Sequence, residues 1–219
     1  MLRNKIGSTT SIAVNEIYPT IQGEGLLLGK PSLFIRLQGC NLRCPWCDQP
    51  SALAFKEGNL DLEELLQKVK EYPHRHVVIT GGEPFLQDGL SILVKNLLEL
   101  ERSVQIETNG TLWQREMEEI VDKPLHITCS PKGEVDWYVH PKILQYASEL
   151  KFVVDQHLTF DVILRENFRK LLEEDRVVLQ PEGNKAFFLK KSLQMQERLL
   201  GLGYQVRVIP QMHKLLGLK

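Results

Sequence analysis

The sequence predicts an α/β protein built on a mainly parallel sheet. Three observations carry that expectation: short apolar, β-branched runs recur along the chain, stretches with apolar residues three or four positions apart separate them, and polar turn residues gather where the runs end. The chain has 219 residues, enough to bury a sizeable core. It shows neither a sequence repeat nor a low-complexity segment, so residues 1–219 read as a single domain.

The elements follow in order. "SIAVNEIYP" (11–19) and "SLFIRLQ" (32–38) read as the opening strands, and Leu62, Leu65, Leu66 and Val69 mark the first amphipathic helix. "HVVIT" (76–80) is the next strand, followed by a helix from Asp88 onward with Leu90, Leu93, Val94, Leu97 and Leu98 on one face. "SVQIET" (103–108) precedes a helix near Gln114. "LHITCS" (125–130), "LKFVV" (150–154), "RVVLQ" (176–180) and "YQVRVI" (204–209) continue the strands, and Leu189 and Leu193 sit on a late helix.

Composition narrows the function. A net charge of −1 offers no field for nucleic acid or an anionic membrane. The opening "MLRNKIGSTT" is polar, unlike a signal peptide, and no run approaches the roughly 18 apolar residues of a membrane span. The expectation is a cytoplasmic protein with neither a nucleic-acid nor a membrane partner. Four cysteines in a reducing compartment point to metal or redox chemistry rather than to structural disulfides.

Each strand runs into a chemically loaded tail. "FIRLQ" enters a loop with Cys40, Cys44 and Cys47, "VVIT" enters Gly81-Gly82-Glu83-Pro84, and "VQI" enters Glu107-Thr108-Asn109-Gly110. "HITC" enters Ser130-Pro131-Lys132, "VVLQ" enters Pro181-Glu182-Gly183, and "VRVI" enters "PQMHK". In parallel α/β folds the carboxyl ends of the strands share one face, and ligands bind there. Gly, Pro, Asn and Ser also make ordinary turns, an explanation that serves any single tail better than it serves them all.

The cysteines have the spacing C-x3-C-x2-C. Structural zinc takes a closed set of four ligands, usually from two C-x2-C pairs. Cys129, the remaining cysteine, lies inside an apolar run and reads as a small buried hydrophobe. Three thiolates suit a [4Fe–4S] cluster with one iron open to a non-protein ligand.

With Trp46 before the last cysteine, and "GGEP" after the next strand, this loop resembles the radical S-adenosylmethionine (SAM) superfamily. "EIYPTIQGEGLLLGKPSLFIRLQGCNLRCPWCD", "VVITGGEP", "ETNGT", "SPK", "LQPEGN" and "PQMHKLLGLK" extend the likeness over nearly the whole chain. Together they resemble the 7-carboxy-7-deazaguanine synthase family of queuosine and deazapurine biosynthesis. The resemblance implies an incomplete (β/α) barrel, shorter than the roughly 250 residues of a closed one. It implies a lyase that contracts the ring of 6-carboxy-5,6,7,8-tetrahydropterin to 7-carboxy-7-deazaguanine, with loss of ammonia. It further implies a [4Fe–4S] cluster, SAM, an electron donor such as a flavodoxin or ferredoxin, and a homodimer. In the family, reductive cleavage of SAM frees a radical that removes the C6 hydrogen of the pterin.

The resemblance makes Cys40, Cys44 and Cys47 the cluster ligands. Trp46 packs near the adenine or serves as a plain core aromatic. Gly82 admits the methionyl end of SAM, where a Cβ would obstruct it, and Glu83 belongs to the same motif. Asn109, Ser130, Pro131, Lys132 and the loop Gln180, Pro181, Glu182 and Gly183 face the cofactor, and Thr108 offers polar groups beside it. Thr80 and Glu107 contact the pterin. Ile21, Gln22 and Gly23 lie against its edge, with Glu24 accepting from its guanidine-like nitrogens. Arg36 interrupts the apolar run Leu33-Phe34-Ile35 and Leu37, which is costly unless an anion meets it. The substrate carboxylate is the expected partner, and a salt bridge to Glu24 is the structural alternative. The tail places His213 and Lys219 near the substrate, with Leu215, Leu216 and Leu218 tying it down or covering the barrel bottom.

One position departs from the family. Asp-Thr usually follows the third cysteine, and the threonine hydroxyl helps hold a magnesium ion. Here Asp48 precedes Gln49. Either the Gln49 carbonyl reaches the ion, or its amide takes the ion's place against the substrate. Two other classes compete with the synthase reading. One is a radical SAM activating enzyme acting on a protein partner, and the other is a non-catalytic metal-binding module.

Overall fold

The structure, a computed structural model, describes residues 11–121 and 123–218. Its strands are β1 (Ser11–Ile12), β2 (Val14–Ile21), β3 (Pro31–Leu37), β4 (Leu60–Asp61), β5 (His76–Gly81), β6 (Ser103–Thr108), β7 (Leu125–Cys129), β8 (Glu149–Val154), β9 (Val177–Pro181) and β10 (Arg207–Val208). Its helices are α1 (Leu62–Lys70), α2 (Leu90–Glu99), α3 (Pro141–Tyr146), α4 (Phe160–Ile163), α5 (Arg169–Glu173), α6 (Ala186–Gly201) and α7 (Met212–Leu215). β1 and β4 make a small antiparallel pair. The remaining strands form one sheet in the order β10-β9-β8-β7-β6-β5-β3-β2. Every pairing in it is parallel except β2 with β3. Its edges, β2 and β10, do not pair with each other, so the barrel is open.

Strict alternation along the strands divides the molecule into two faces. Leu33, Ile35 and Leu37 of β3, Val77 and Ile79 of β5, and Val104 and Ile106 of β6 pack outward into the main core with the helices. Leu90, Leu93, Val94 and Leu97 of α2 are fully buried there, each stabilising by about 1.5–3 kcal/mol. The intervening positions point inward and are largely polar: Arg36, Thr80, Gln105, Thr128, Lys151 and Gln180 are all buried. Tyr18, Phe34 and Val78 form a small apolar cluster on this inner side.

Differences from the sequence expectation have local causes. The helix expected near Gln114 is a single 3₁₀ turn, Arg115–Glu119. Only Met117 and Ile120 there reach the core, too narrow an apolar face to anchor a longer amphipathic helix. The run 11–19 divides into β1 and β2, and β2 keeps Pro19 because it is an edge strand with no ladder partner on one side. The strand expected over 204–209 shrinks to Arg207–Val208; Pro210 brings no N–H to extend it. Helices α3, α4 and α5, with four to six residues each, are too short for periodicity to reveal. No described helix is long and apolar enough to cross a membrane.

Candidate active site

The strand tails converge on one cavity. Cys40, Cys44 and Cys47 line it and are free thiols. The loop is shaped by its own backbone: Cys47 N–H donates to Cys44 O at 3.1 Å, and Leu42 N–H to Cys40 Sγ at 3.4 Å. Burial pushes the Cys40 thiol up and drives Cys44 up to about 12, against partial relief from the Lys132 ammonium. The form that ligates a metal is the thiolate, so metal binding by this loop would release thiol protons. Cys129 is fully buried in the main core, away from this loop's wall.

Gly82 lines the cavity, but a Cβ on it would lie 1.9 Å from Gly39 O. The close approach that demands glycine is thus to the backbone of the cysteine loop, a different reason from the cofactor contact expected. Glu83 is fully buried and absent from the cavity wall. Its carboxylate accepts from Phe85 N–H (3.0 Å), Thr108 Oγ1 (2.7 Å) and Asn109 N–H (2.7 Å), so it braces the Glu107–Gly110 tail from behind. Asn109 does face the cavity, with its amide tied to Asn41 Oδ1 at 2.9 Å. Pro131 and Pro181 are buried and shape their tails without lining the cavity.

Trp46 stands half-buried on the wall and outside both apolar clusters. Its Nε1–H donates to Asp155 Oδ2 at 3.2 Å, and the Lys132 ammonium lies 4.9 Å from the ring centre. Lys132 also donates to Ser130 Oγ at 2.6 Å, and burial lowers its pKa. Glu182 and Gly183 complete this wall with Gln180. Gln180 Oε1 is buried and has no hydrogen-bond partner. An orphaned acceptor on a cavity wall has the character of a group awaiting a ligand donor.

The inner strand positions supply the rest. Arg36 Nε donates to Glu16 Oε1 at 2.8 Å and Nη2 to Tyr18 Oη at 2.6 Å. Its intramolecular partner is therefore Glu16 rather than Glu24, and these bonds engage two of five guanidinium hydrogens. Glu24 instead pairs with Lys151, accepts from Gln211 Nε2 at 2.8 Å and lies 4.0 Å from His213 Nδ1. Burial alone would raise the Glu24 carboxyl; the Lys151 ammonium outweighs it and brings it down to about 2. Thr80 Oγ1 donates to Glu107 Oε2 at 2.9 Å. Gln22 lines the cavity too, but its amide hydrogens go to Gln105 (2.9 Å) and Glu107 (3.0 Å) and its oxygen takes Glu24 N–H (3.0 Å). That amide is spent on holding the loop, and Ile21 and Gly23 line the cavity beside it.

The tail crosses this region. Met212 N–H donates to Gly23 O at 2.9 Å, and Lys214 Nζ lies 3.1 Å from Asp48 Oδ2. Leu215, Leu216 and Leu218 are exposed, so polar bonds and not leucines hold the tail. Lys219 lies outside the described residues. Lys151 escaped the sequence reading, which met Asp48 only as the neighbour of Gln49, and Gln211 and Lys214 only within the "PQMHK" tail. Lys151 had a signal, a charge at an inward position between apolar Leu150 and Phe152; the others had none beyond their place in a polar loop.

Glu24, Asp48 and His213 bring ligand atoms within 4.8 Å of one another. The Lys151 and Lys214 ammoniums and the Gln211 amide already occupy these carboxylates, and Gln49 lines the cavity without a hydroxyl to offer. A magnesium ion, which is held by one or two carboxylates and keeps several waters, would have to displace these ammonium and amide groups to bind here.

Residues 34–134 match the family model of the radical SAM superfamily. The 7-carboxy-7-deazaguanine synthase of Aquifex aeolicus is 56% identical over 220 residues, covering 100% of both chains. That of Rickettsia prowazekii is 34% identical over 97% of this chain and 91% of its own. The crystal structure of QueE from Escherichia coli superposes with a TM-score of 0.69 at 29% identity, covering 90% of this chain and 93% of that one. The chain belongs to the 7-carboxy-7-deazaguanine synthase family of the radical SAM superfamily.

Proposed function

We propose that this enzyme contracts 6-carboxy-5,6,7,8-tetrahydropterin to 7-carboxy-7-deazaguanine with loss of ammonia, all of residues 1–219 serving as one domain. The carrying observation is a single cavity that holds three free cysteines together with Arg36, Glu24 and Glu107. Cys40, Cys44 and Cys47 would hold a [4Fe–4S] cluster, and Gln180 Oε1 supplies an acceptor for SAM beside it. When bound, these groups supply one-electron cleavage and hydrogen abstraction, chemistry no side chain here performs. The protein's part is placement and exclusion of water. Glu24 and Glu107 present carboxylate oxygens to the pterin N–H groups, and Arg36 presents its remaining hydrogens to the substrate carboxylate. The segment Gln22 to Glu24 and the tail residues Gln211, His213 and Lys214 line the same cavity. A flavodoxin- or ferredoxin-type donor and a homodimer accompany this reading by family resemblance. The test is anaerobic turnover of the carboxytetrahydropterin by the iron-reconstituted protein, followed by mass spectrometry; no deazaguanine product would sink it.

Two expected outcomes probe the substrate end. Arg36→Lys keeps the charge but loses the planar fork. It should raise the pterin KM about tenfold, the scale of a lost charge-assisted hydrogen bond of roughly 1.5 kcal/mol, while reductive SAM cleavage survives. Equal loss of both activities would make Arg36 purely structural. Activity should also change little between EDTA and added magnesium, because lysines already neutralise Glu24 and Asp48 and the Gln49 amide faces the cavity. Strong magnesium stimulation, lost in Gln49→Ala, would show the glutamine to be a ligand.

A further inference from the structure

Below the cavity the inner face carries polar side chains that bind nothing in the reading above. His76, Gln105, Thr128 and Glu149 are each 2% exposed or less, and none lines the cavity. Burying such groups costs free energy unless every one is paired. Their hydrogen bonds run in one direction. Gln105 Oε1 receives both Gln22 Nε2 (2.9 Å) and His76 Nε2 (3.2 Å). An amide oxygen only accepts, so His76 carries its proton on Nε2. Gln105 Nε2 donates to Thr128 Oγ1 at 2.9 Å, and the Thr128 hydroxyl donates to Glu149 Oε1 at 2.7 Å. His126 Nε2 meets the same oxygen at 3.0 Å.

The chain ends on the other carboxylate oxygen. Glu149 Oε2 accepts the backbone N–H of Leu26 at 2.8 Å, reaching from β8 to the loop between β2 and β3. Gly25 rests directly on this carboxylate. A Cβ there would lie 2.6 Å from Glu149 Oε1, on a backbone with φ of +65° that disfavours any side chain. The loop is therefore seated at two points: Gln22 on Gln105, and Gly25–Leu26 on Glu149. Glu24 lies between them. The second hydrogen of the Gln22 amide also sets one oxygen of Glu107.

We infer that Glu149, acting with Gln105, is a positioning residue that seats the Gln22–Leu26 loop and thereby aims Glu24 and Glu107 at the substrate. This rests on the assignment of those carboxylates to the pterin. Replacing Glu149 with glutamine puts an NH2 where only acceptors fit, against either Leu26 N–H or the Thr128 and His126 donors. The loop should lift while the cofactor side of the cavity, built by other tails, stays in place.

The experiment uses the full chain with its cluster reconstituted anaerobically. Glu149→Gln is expected to raise the pterin KM at least tenfold, with SAM affinity and iron content within twofold of wild type. Glu149→Asp, which keeps a carboxylate, should recover part of that loss. Gly25→Ala displaces the loop from outside the buried network and should reproduce the KM effect; it decides the matter if Glu149→Gln does not fold. A pterin KM within twofold of wild type in the folded variants would overturn the inference. So would a loss of SAM affinity in step with the pterin KM, which marks a general packing defect. Failure of the wild type to turn over the pterin is a separate result, and it strikes the functional reading instead.

Discussion

Lys151→Met is expected to destabilise the protein by about 3–5 kcal/mol at neutral pH, the scale for removing one partner of a buried ion pair. The side chains of Lys151 and Glu24 are only 7% and 13% exposed. Methionine fills most of the lysine volume, so the loss is electrostatic: Glu24 is left as a buried carboxylate that burial pushes toward its protonated form. The sign with pH follows. In the wild type the Glu24 carboxyl is held down to about 2, below an ordinary glutamate near ~4.3. Its stabilising contribution is complete above the ordinary value and fades as pH falls through the depressed one. In the variant the folded value is raised, so the penalty is present at neutral pH and vanishes on acidification. Urea unfolding at pH 7 and pH 3 should show a large difference at the first and a much smaller one at the second. Glu24→Gln added to Lys151→Met should recover much of the neutral-pH loss, because it removes the unpaired charge. A pH-independent difference would mean that Lys151 acts through packing alone.

Cys44→Ala is expected to abolish turnover while leaving the fold intact. Cys44 is only half-buried and sits in a loop outside the main core, so truncation there removes little apolar contact. Two thiolates cannot hold the cluster that three support. The variant should therefore purify without the brown colour and iron content of the wild type and unfold at a similar temperature. Cys129→Ala is the control. That side chain is fully buried in the core, so its loss should cost stability and spare the iron. Retained iron and activity in Cys44→Ala would refute the ligand assignment.

Much of this molecule was readable along the chain. The β-branched runs at 76–80, 103–108, 125–130, 150–154 and 176–180 are strands because period and propensity are local properties, and β5 to β9 lie on or within a residue of them. The convergence of their tails followed from parallel pairing, which puts every carboxyl end on one face. Spacing alone brought Cys40, Cys44 and Cys47 together, because they share one short loop. Partner choice was not readable. Arg36 announced a buried cation, yet nothing in its neighbourhood distinguished Glu16 from Glu24. That depended on the antiparallel register that sets Glu16 opposite Arg36 across β2 and β3. Glu24 found Lys151, 127 positions away, only because the 22–28 loop crosses the inner face to β8. Gly82 is required by the backbone of Gly39, a contact made when two tails meet. Ion pairs and close approaches of this kind depend on distances of a few ångströms between distant segments, and a linear pattern carries no such distances.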